Sequence, residues 1–250
     1  MTEAVLTTDQ AAFTPEEERQ RSFKSRRTLT WFLVFAIVMF FASLTSAYIV
    51  SKSGSYWVNF RIPTAFYIST VLVLAGSVTV QLALATVRRG GNTKAVVPLL
   101  MATLLLGAGF THFQRKGWSE LVDRGNFWGR GNVMLNKGTY GVDYTFSRDG
   151  MTLVKEGDSF YLPTDLEHAR PLNADLEEAN NTSSSYFFTI TLAHLAHLGF
   201  GLLSLLVMIA MAMRGRYTSD DHAGLWAGTV YWHFLGGLWV YLLLFLLFVH

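Results

Sequence analysis

The sequence predicts an all-α integral membrane protein, a five-transmembrane-helix bundle interrupted between spans three and four by a 66-residue excursion holding short strands. Three observations predict it. The 250 residues are 51% hydrophobic and only 15% charged, where a soluble domain carries about a quarter charged residues. Carboxylates are confined to the first 18 residues, to the stretch between Glu120 and Glu178, and to Asp220 and Asp221, as expected where an ionised group at the bilayer centre is costly. Between those places lie five apolar runs of about 18 residues or more, the length that crosses a hydrocarbon core as a helix.

Residues 1–28 read as a polar tail. Glu16, Glu17, Glu18, Arg21, Lys24, Arg26 and Arg27 crowd it, and no apolar run precedes them, so neither a secretory signal nor an acid-poor transit peptide is read here. Spans one to three fall at 29–50, 65–87 and 96–113, within a unit of 29–118. Lipid gives the backbone no hydrogen-bond partner, so each span is expected to be helical. In span two, Ser69, Thr70, Thr79 and Gln81 are polar but uncharged, and Gly76 and Ser77 are small. That pattern suits helix packing through close approach and interhelical hydrogen bonds. Pro98 stands in the first turn of span three, where its missing N–H costs nothing. Spans four and five fall at 185–213 and 224–249, within a unit of 185–250.

Orientation follows from Lys and Arg near the span ends. Lys24, Arg26 and Arg27, then Arg88, Arg89 and Lys94, then Arg214 and Arg216 share one side if the chain crosses five times. The expected arrangement puts the N-terminus in the cytoplasm and the C-terminus outside it. Trp31, Tyr56, Trp57, Trp118 and Tyr186 stand at span edges, the depth that amphipathic rings prefer.

Residues 119–184 form the extracytoplasmic excursion. They hold 11 acids and 6 bases, net −5. Glycines punctuate short runs at 140–146, 151–155 and 159–162, which read as strands and turns. The plain alternative is a solvated insertion with no function of its own. A surface of this sign would attract a basic partner.

The chain has no cysteine, which excludes disulfides and thiolate metal sites. No basic stripe with interleaved aromatics is present, so no nucleic-acid partner is read. No phosphate loop, nucleophile elbow or zinc-protease motif occurs. Histidine is the remaining chemistry. His194 and His197, three apart, share one helix face, and His233 in Tyr231-Trp232-His233-Phe234 could join them as a third neutral nitrogen. Such a trio could ligate a metal or haem, which would suit a membrane electron carrier. The alternative is hydrogen bonding to neighbouring helices or contact with lipid, and it is favoured because the spans offer neither carboxylate nor thiolate. A transporter would usually place a charge inside its spans, and none of the five has one. No catalytic, cofactor-binding or metal residue is assigned.

These residues carry a resemblance. Tyr231-Trp232-His233-Phe234 followed by Trp239 resembles the last helix of subunit III of haem–copper (cytochrome c) oxidases, and Thr191, His194 and His197 resemble the paired-histidine helix before it. His222 fits the histidine that opens the final helix. Met39-Phe40-Phe41 with Ala47-Tyr48 is similar to the first helix of the five-helix bacterial form, Ser69-Thr70 with Ser77 and Thr79 to the next, and Gln114 with Trp118 to the end of the third. The family's acids fall at Ile37, Gly117, Trp226 and Gly236 in this chain, and the glycines beside the first paired histidine at Leu192 and Leu195. The sequence therefore resembles a divergent branch.

The resemblance implies a subunit without haem or copper of its own, those cofactors belonging to partner subunits. It implies a role in a bacterial inner membrane beside catalytic subunit I and other oxidase subunits, holding phospholipid in a cleft, in a complex that reduces O2 to water and moves protons. It makes the acidic excursion a candidate for contact with a cytochrome c domain or a neighbouring respiratory complex. A quinol oxidase or a nitric oxide reductase would be the alternative host. His194, His197, His233, Tyr231, Trp232, His222, Thr191 and Trp239 are expected to take structural or lipid-contact roles.

Overall fold

The computed structural model describes residues 14–54, 56–90, 95–129 and 131–250. Residues 1–13 of the expected tail, and Lys94 of the orientation argument, lie outside the described residues. Among the described residues five helices are long and apolar enough to cross a membrane, as the apolar runs predict.

Helix α1 (Pro15–Lys52) starts well before its apolar run. Thr14 and Glu17 form a capping box: the Thr14 hydroxyl accepts the Glu17 N–H at 3.3 Å, and the Glu17 carboxylate accepts the Thr14 N–H at 2.8 Å. With 38 residues α1 is about 57 Å long, nearly twice a hydrocarbon core. Residues 15–28 of the expected polar tail are thus the first turns of the helix that carries span one. Strand β1 (Tyr56–Phe60) leads into α2 (Thr64–Arg88), and α3 (Val96–Asp123) returns beside it. Helix α3 carries its polar end, from His112 to Asp123, as continuous helix rather than stopping at 113. Helices α5 (Thr182–Met213) and α6 (Ala223–Phe248) complete the bundle. Their contacts place the helices in a ring, α1, α6, α2, α3, α5, with α5 and α6 also touching across it.

Glycines and hydroxyls set the close approaches. Thr79 and Thr103 hydroxyls meet at 2.7 Å between α2 and α3, and Gln114 Nε2 donates to Ser69 Oγ at 3.0 Å. Trp232, fully buried, lies in a notch between Gly76 and Gly107, where a Cβ would come within 3.2 and 2.7 Å of the indole.

The excursion is mixed rather than purely β. Strands β2 (Tyr144–Arg148), β3 (Met151–Thr152), β4 (Val154–Glu156) and β5 (Ser159–Tyr161) precede a short α4 (Asn173–Glu178). The runs at 140–146 and 151–155 are shifted and split: the first pairs only from Tyr144, and Leu153 breaks the second into β3 and β4. Strand β1, from the link between spans one and two, pairs antiparallel with β2, Trp57 opposite Ser147 and Phe60 opposite Tyr144. Its other edge is closed by the bundle. Ser183 Oγ, at the start of α5, donates to Val58 O at 2.6 Å, and the Phe60 N–H donates to His250 Nε2 at 3.2 Å. Tyr140, Tyr144, Phe146 and Phe160 pack edge to face beneath the strands, with centroids 5.0–5.7 Å apart. At the root of the excursion Gly125 has φ +89°, and a Cβ there would lie 1.9 Å from the Leu135 carbonyl oxygen. Only glycine fits.

Candidate functional site

The paired histidines of α5 face the bundle, but they do not form a ligand set with His233. His194 is fully buried among Phe41, Phe110 and Trp239, with ring centroids at 6.4, 5.9 and 5.2 Å. Neither of its ring nitrogens has a hydrogen-bond partner. His197, one turn on, donates its Nδ1–H to Ala193 O at 2.7 Å, which leaves Nε2 as an acceptor. Its ring packs on Phe41 and Phe40 at 5.5 and 5.9 Å. His233 sits elsewhere. Trp232 is buried, and one residue of α-helix turns the next side chain by about 100°, so His233 is exposed and bonds Gln81 on α2 at 3.1 Å. The expected approach of a third imidazole is corrected by that rotation. Among the described residues no group of three or more His, Asp or Glu is placed to hold a metal ion.

The other expected residues split into two sets. Around the paired histidines, Tyr231 donates its O–H to His197 O at 3.0 Å, and Trp239 donates its Nε1–H to Thr70 Oγ1 at 2.9 Å while stacking on His194. Thr191 accepts from Trp118 Nε1 at 3.1 Å and donates back to Phe187 O at 2.8 Å. His222 lies apart, at the N-cap of α6, against Phe23 at 6.3 Å. A cavity of 540 Å³ opens between α1, α5 and α6 beside Ile37, His197, Ser204, Gly228 and Tyr231. Its walls are apolar but for the imidazole and hydroxyls, which suits a hydrocarbon chain better than a polar substrate.

Residues 162–250 match the family model of cytochrome c oxidase subunit III. The match takes in both paired histidines, the Tyr-Trp-His-Phe segment and the two helices that carry them, and it is consistent with a divergent subunit III. No curated protein matches the chain. Subunit III has no cofactor of its own. It works within haem–copper oxidase complexes alongside subunit I, and a subunit III-type role in a multi-pass membrane protein is what the match and the five apolar helices support.

Residues outside the expected set organise the junction between bundle and excursion. His250 receives the Phe60 N–H on Nε2, so its Nδ1 carries the proton and donates to Tyr48 Oη at 2.5 Å. Burial, aided by the Lys52 ammonium, holds the His250 pKa down to about 3. Lys52 itself donates to Val249 O at 2.5 Å. Above, Arg148 donates to Tyr56 Oη at 2.7 Å and lies over its ring, and Tyr56 donates to Asp175 at 3.0 Å. Burial and the Asp175 contact raise the Tyr56 pKa. The only sequence signal for this junction is the aromatic pair Tyr56-Trp57 at a span edge.

Proposed function

We propose that this chain is the non-catalytic subunit III of a respiratory cytochrome c oxidase in a bacterial inner membrane, stabilising the catalytic subunit and framing a lipid cleft. The match over 162–250 carries the reading. Burial of Trp232, His194 and Trp239 at the centre of the bundle supports it, because the matched segment supplies packing side chains rather than an open reactive site. In this role His194, Thr191, Trp232 and Trp239 hold the helices together. His197 and Tyr231 border the cavity that takes a lipid chain, and His222 anchors the start of the last helix. The basic end of the bundle, with Lys24, Arg26, Arg27, Arg88, Arg89, Arg214 and Arg216, faces the cytoplasm, and the excursion faces the opposite side.

Purification of the tagged full chain from native membranes tests this. The expected result is a co-purifying haem-bearing subunit with oxygen-reducing activity on reduced cytochrome c. Recovery of the chain alone would overturn the reading, and activity only with quinol would move it to a quinol oxidase. On the excursion, Glu167, Glu177 and Glu178 are exposed carboxylates that would steer a basic cytochrome c domain. Replacing the three by Gln should lower the association rate several-fold at low salt and leave it unchanged at high salt. Equal rates at both salts would remove the excursion from docking.

A further inference from the structure

Polar side chains in membrane helices almost always face the bundle interior or a water-filled cavity. Gln81 and His233 do neither. Both are exposed on the outer surface, where α2 and α6 run side by side. Gln81 is seven residues from the end of α2 at Arg88, and His233 ten from the start of α6 at Ala223. At 1.5 Å per residue they lie about 10 and 15 Å in from the helix ends, well within a hydrocarbon core of about 30 Å.

Their mutual bond leaves capacity unused. The Gln81 Oε1 can only accept, so His233 Nε2 donates to it and His233 Nδ1 is a bare acceptor. The Gln81 NH2 keeps its donors. Among the described residues none bonds to either group. Acyl chains offer no hydrogen-bonding group to complete either set. One turn along α6 from His233 is Gly237, also exposed, where a Cβ would meet nothing within 4 Å. An open glycine beside polar side chains is the composition that membrane helices use to pack on one another. The outer face of α5 also has an open glycine, Gly199, but its exposed neighbours Leu192, Ala196, Phe200 and Leu203 are all apolar.

We propose that the outward face of α2 and α6, centred on Gln81, His233 and Gly237, docks a transmembrane helix of the catalytic subunit. That helix presents a hydroxyl or carboxamide side chain, which donates to His233 Nδ1 and accepts from Gln81 Nε2. The inference rests on the subunit III reading and adds to it which face is covered.

Two experiments on the full chain in native membranes decide it. A photoreactive aromatic residue at Val78, on the same face and 60% exposed, should cross-link to the haem-bearing subunit. The same residue at Leu203, 58% exposed on α5, should give lipid adducts only. Separately, Gly237→Leu, and Gln81→Leu with His233→Leu, should each lower recovery of the haem-bearing subunit at least tenfold, while Gly199→Leu leaves it unchanged. Lipid adducts alone from Val78, or adducts with a second copy of this chain, would overturn the proposal, as would full recovery with Gly237→Leu. If the unsubstituted chain recovers no haem-bearing subunit, the subunit III reading fails before the choice of face arises.

Discussion

Replacing Gly107 by alanine tests the packing at the centre of the bundle. A methyl at this position would lie 2.7 Å from Trp232 Cη2 and 2.6 Å from Leu202 Cδ2. Carbon atoms in contact prefer about 3.5–4.0 Å, so both approaches are about 1 Å too close. Leu202 can rotate aside. Trp232 has less room to move, because it is fully buried and its Nε1–Cζ2 edge lies over Gly76. Overpacking of this kind costs about 1–3 kcal/mol, against which alanine returns up to about 1 kcal/mol of helix propensity. Gly199→Ala isolates the propensity, since a Cβ at Gly199 meets nothing. The difference between the two variants should therefore be about 2 kcal/mol, with Gly107→Ala the less stable. The assay is the unfolding midpoint in a titration of sodium dodecyl sulfate into mixed micelles, followed by circular dichroism. In a Trp232→Phe background the penalty at Gly107 should fall below about 1 kcal/mol, because the colliding ring is gone. Equal midpoints for Gly107→Ala and Gly199→Ala would refute the tight notch.

Three further outcomes follow from particular bonds. Ser183→Ala removes the buried donor to Val58 O and should cost about 1–3 kcal/mol, read as faster hydrogen exchange in β1 with the transmembrane amides unaffected. Trp239→Phe keeps the stacking on His194 but removes the donor to Thr70 Oγ1, which keeps its own bond to Phe66 O, and a loss of about 1 kcal/mol in the same unfolding titration is expected. The third concerns pH. His250 is held near pKa 3 when folded, against about 6.5 unfolded. Between those values the unfolded chain binds a proton that the folded chain does not, so this contribution is complete above about pH 6.5 and is lost as pH falls toward 3. The protection factor of the Phe60 amide, taken against the intrinsic exchange rate at each pH, should fall as pH drops through that window, and His250→Phe should flatten the profile. An unchanged profile in the variant would exclude His250 as the cause.

The helices were legible because apolar length is a property of each segment alone. Five runs free of carboxylate could be counted without knowing what any of them touches. Strand β1 was not legible for the opposite reason. Tyr56–Phe60 is five residues in a short link, and its burial does not alternate, so periodicity has nothing to detect. Its partner Thr145 lies 86 residues beyond Asn59, and its second edge is closed by Ser183 at the start of α5 and His250 just past the end of α6. The histidines failed by rotation. Spacing shows that His194 and His197 share a face, but not which way α6 turns. That is set by Trp232 entering the notch between Gly76 and Gly107, which sends His233 outward to Gln81. Gln81 itself was read as a packing residue, and its partner could not be named before the helices were placed.

The positions where the family resemblance puts acids now have a physical content. A side chain larger than hydrogen at Gly117 would strike Phe66, whose ring lies 2.6 Å from the Cβ position, and at Gly236 it would press on Ser77 Oγ at 3.3 Å. Trp226 stacks on Phe23 at 5.8 Å. Ile37 is 4% exposed and borders the cavity beside His197. At Gly117 and Gly236 the room a carboxylate would need is filled by a neighbour, and at Trp226 an aromatic contact stands in its place. Restoring an acid at any of the three would first require its own neighbour to move. Ile37 differs, because open space adjoins it and His197 Nε2 is an unused acceptor nearby. That makes Ile37→Glu the reversion that adds a proton-binding group beside an imidazole with open space to receive it. If the complex keeps its proton-to-electron stoichiometry both with Ile37 and with glutamate in its place, proton handling belongs to the partner subunits, and this chain contributes geometry alone.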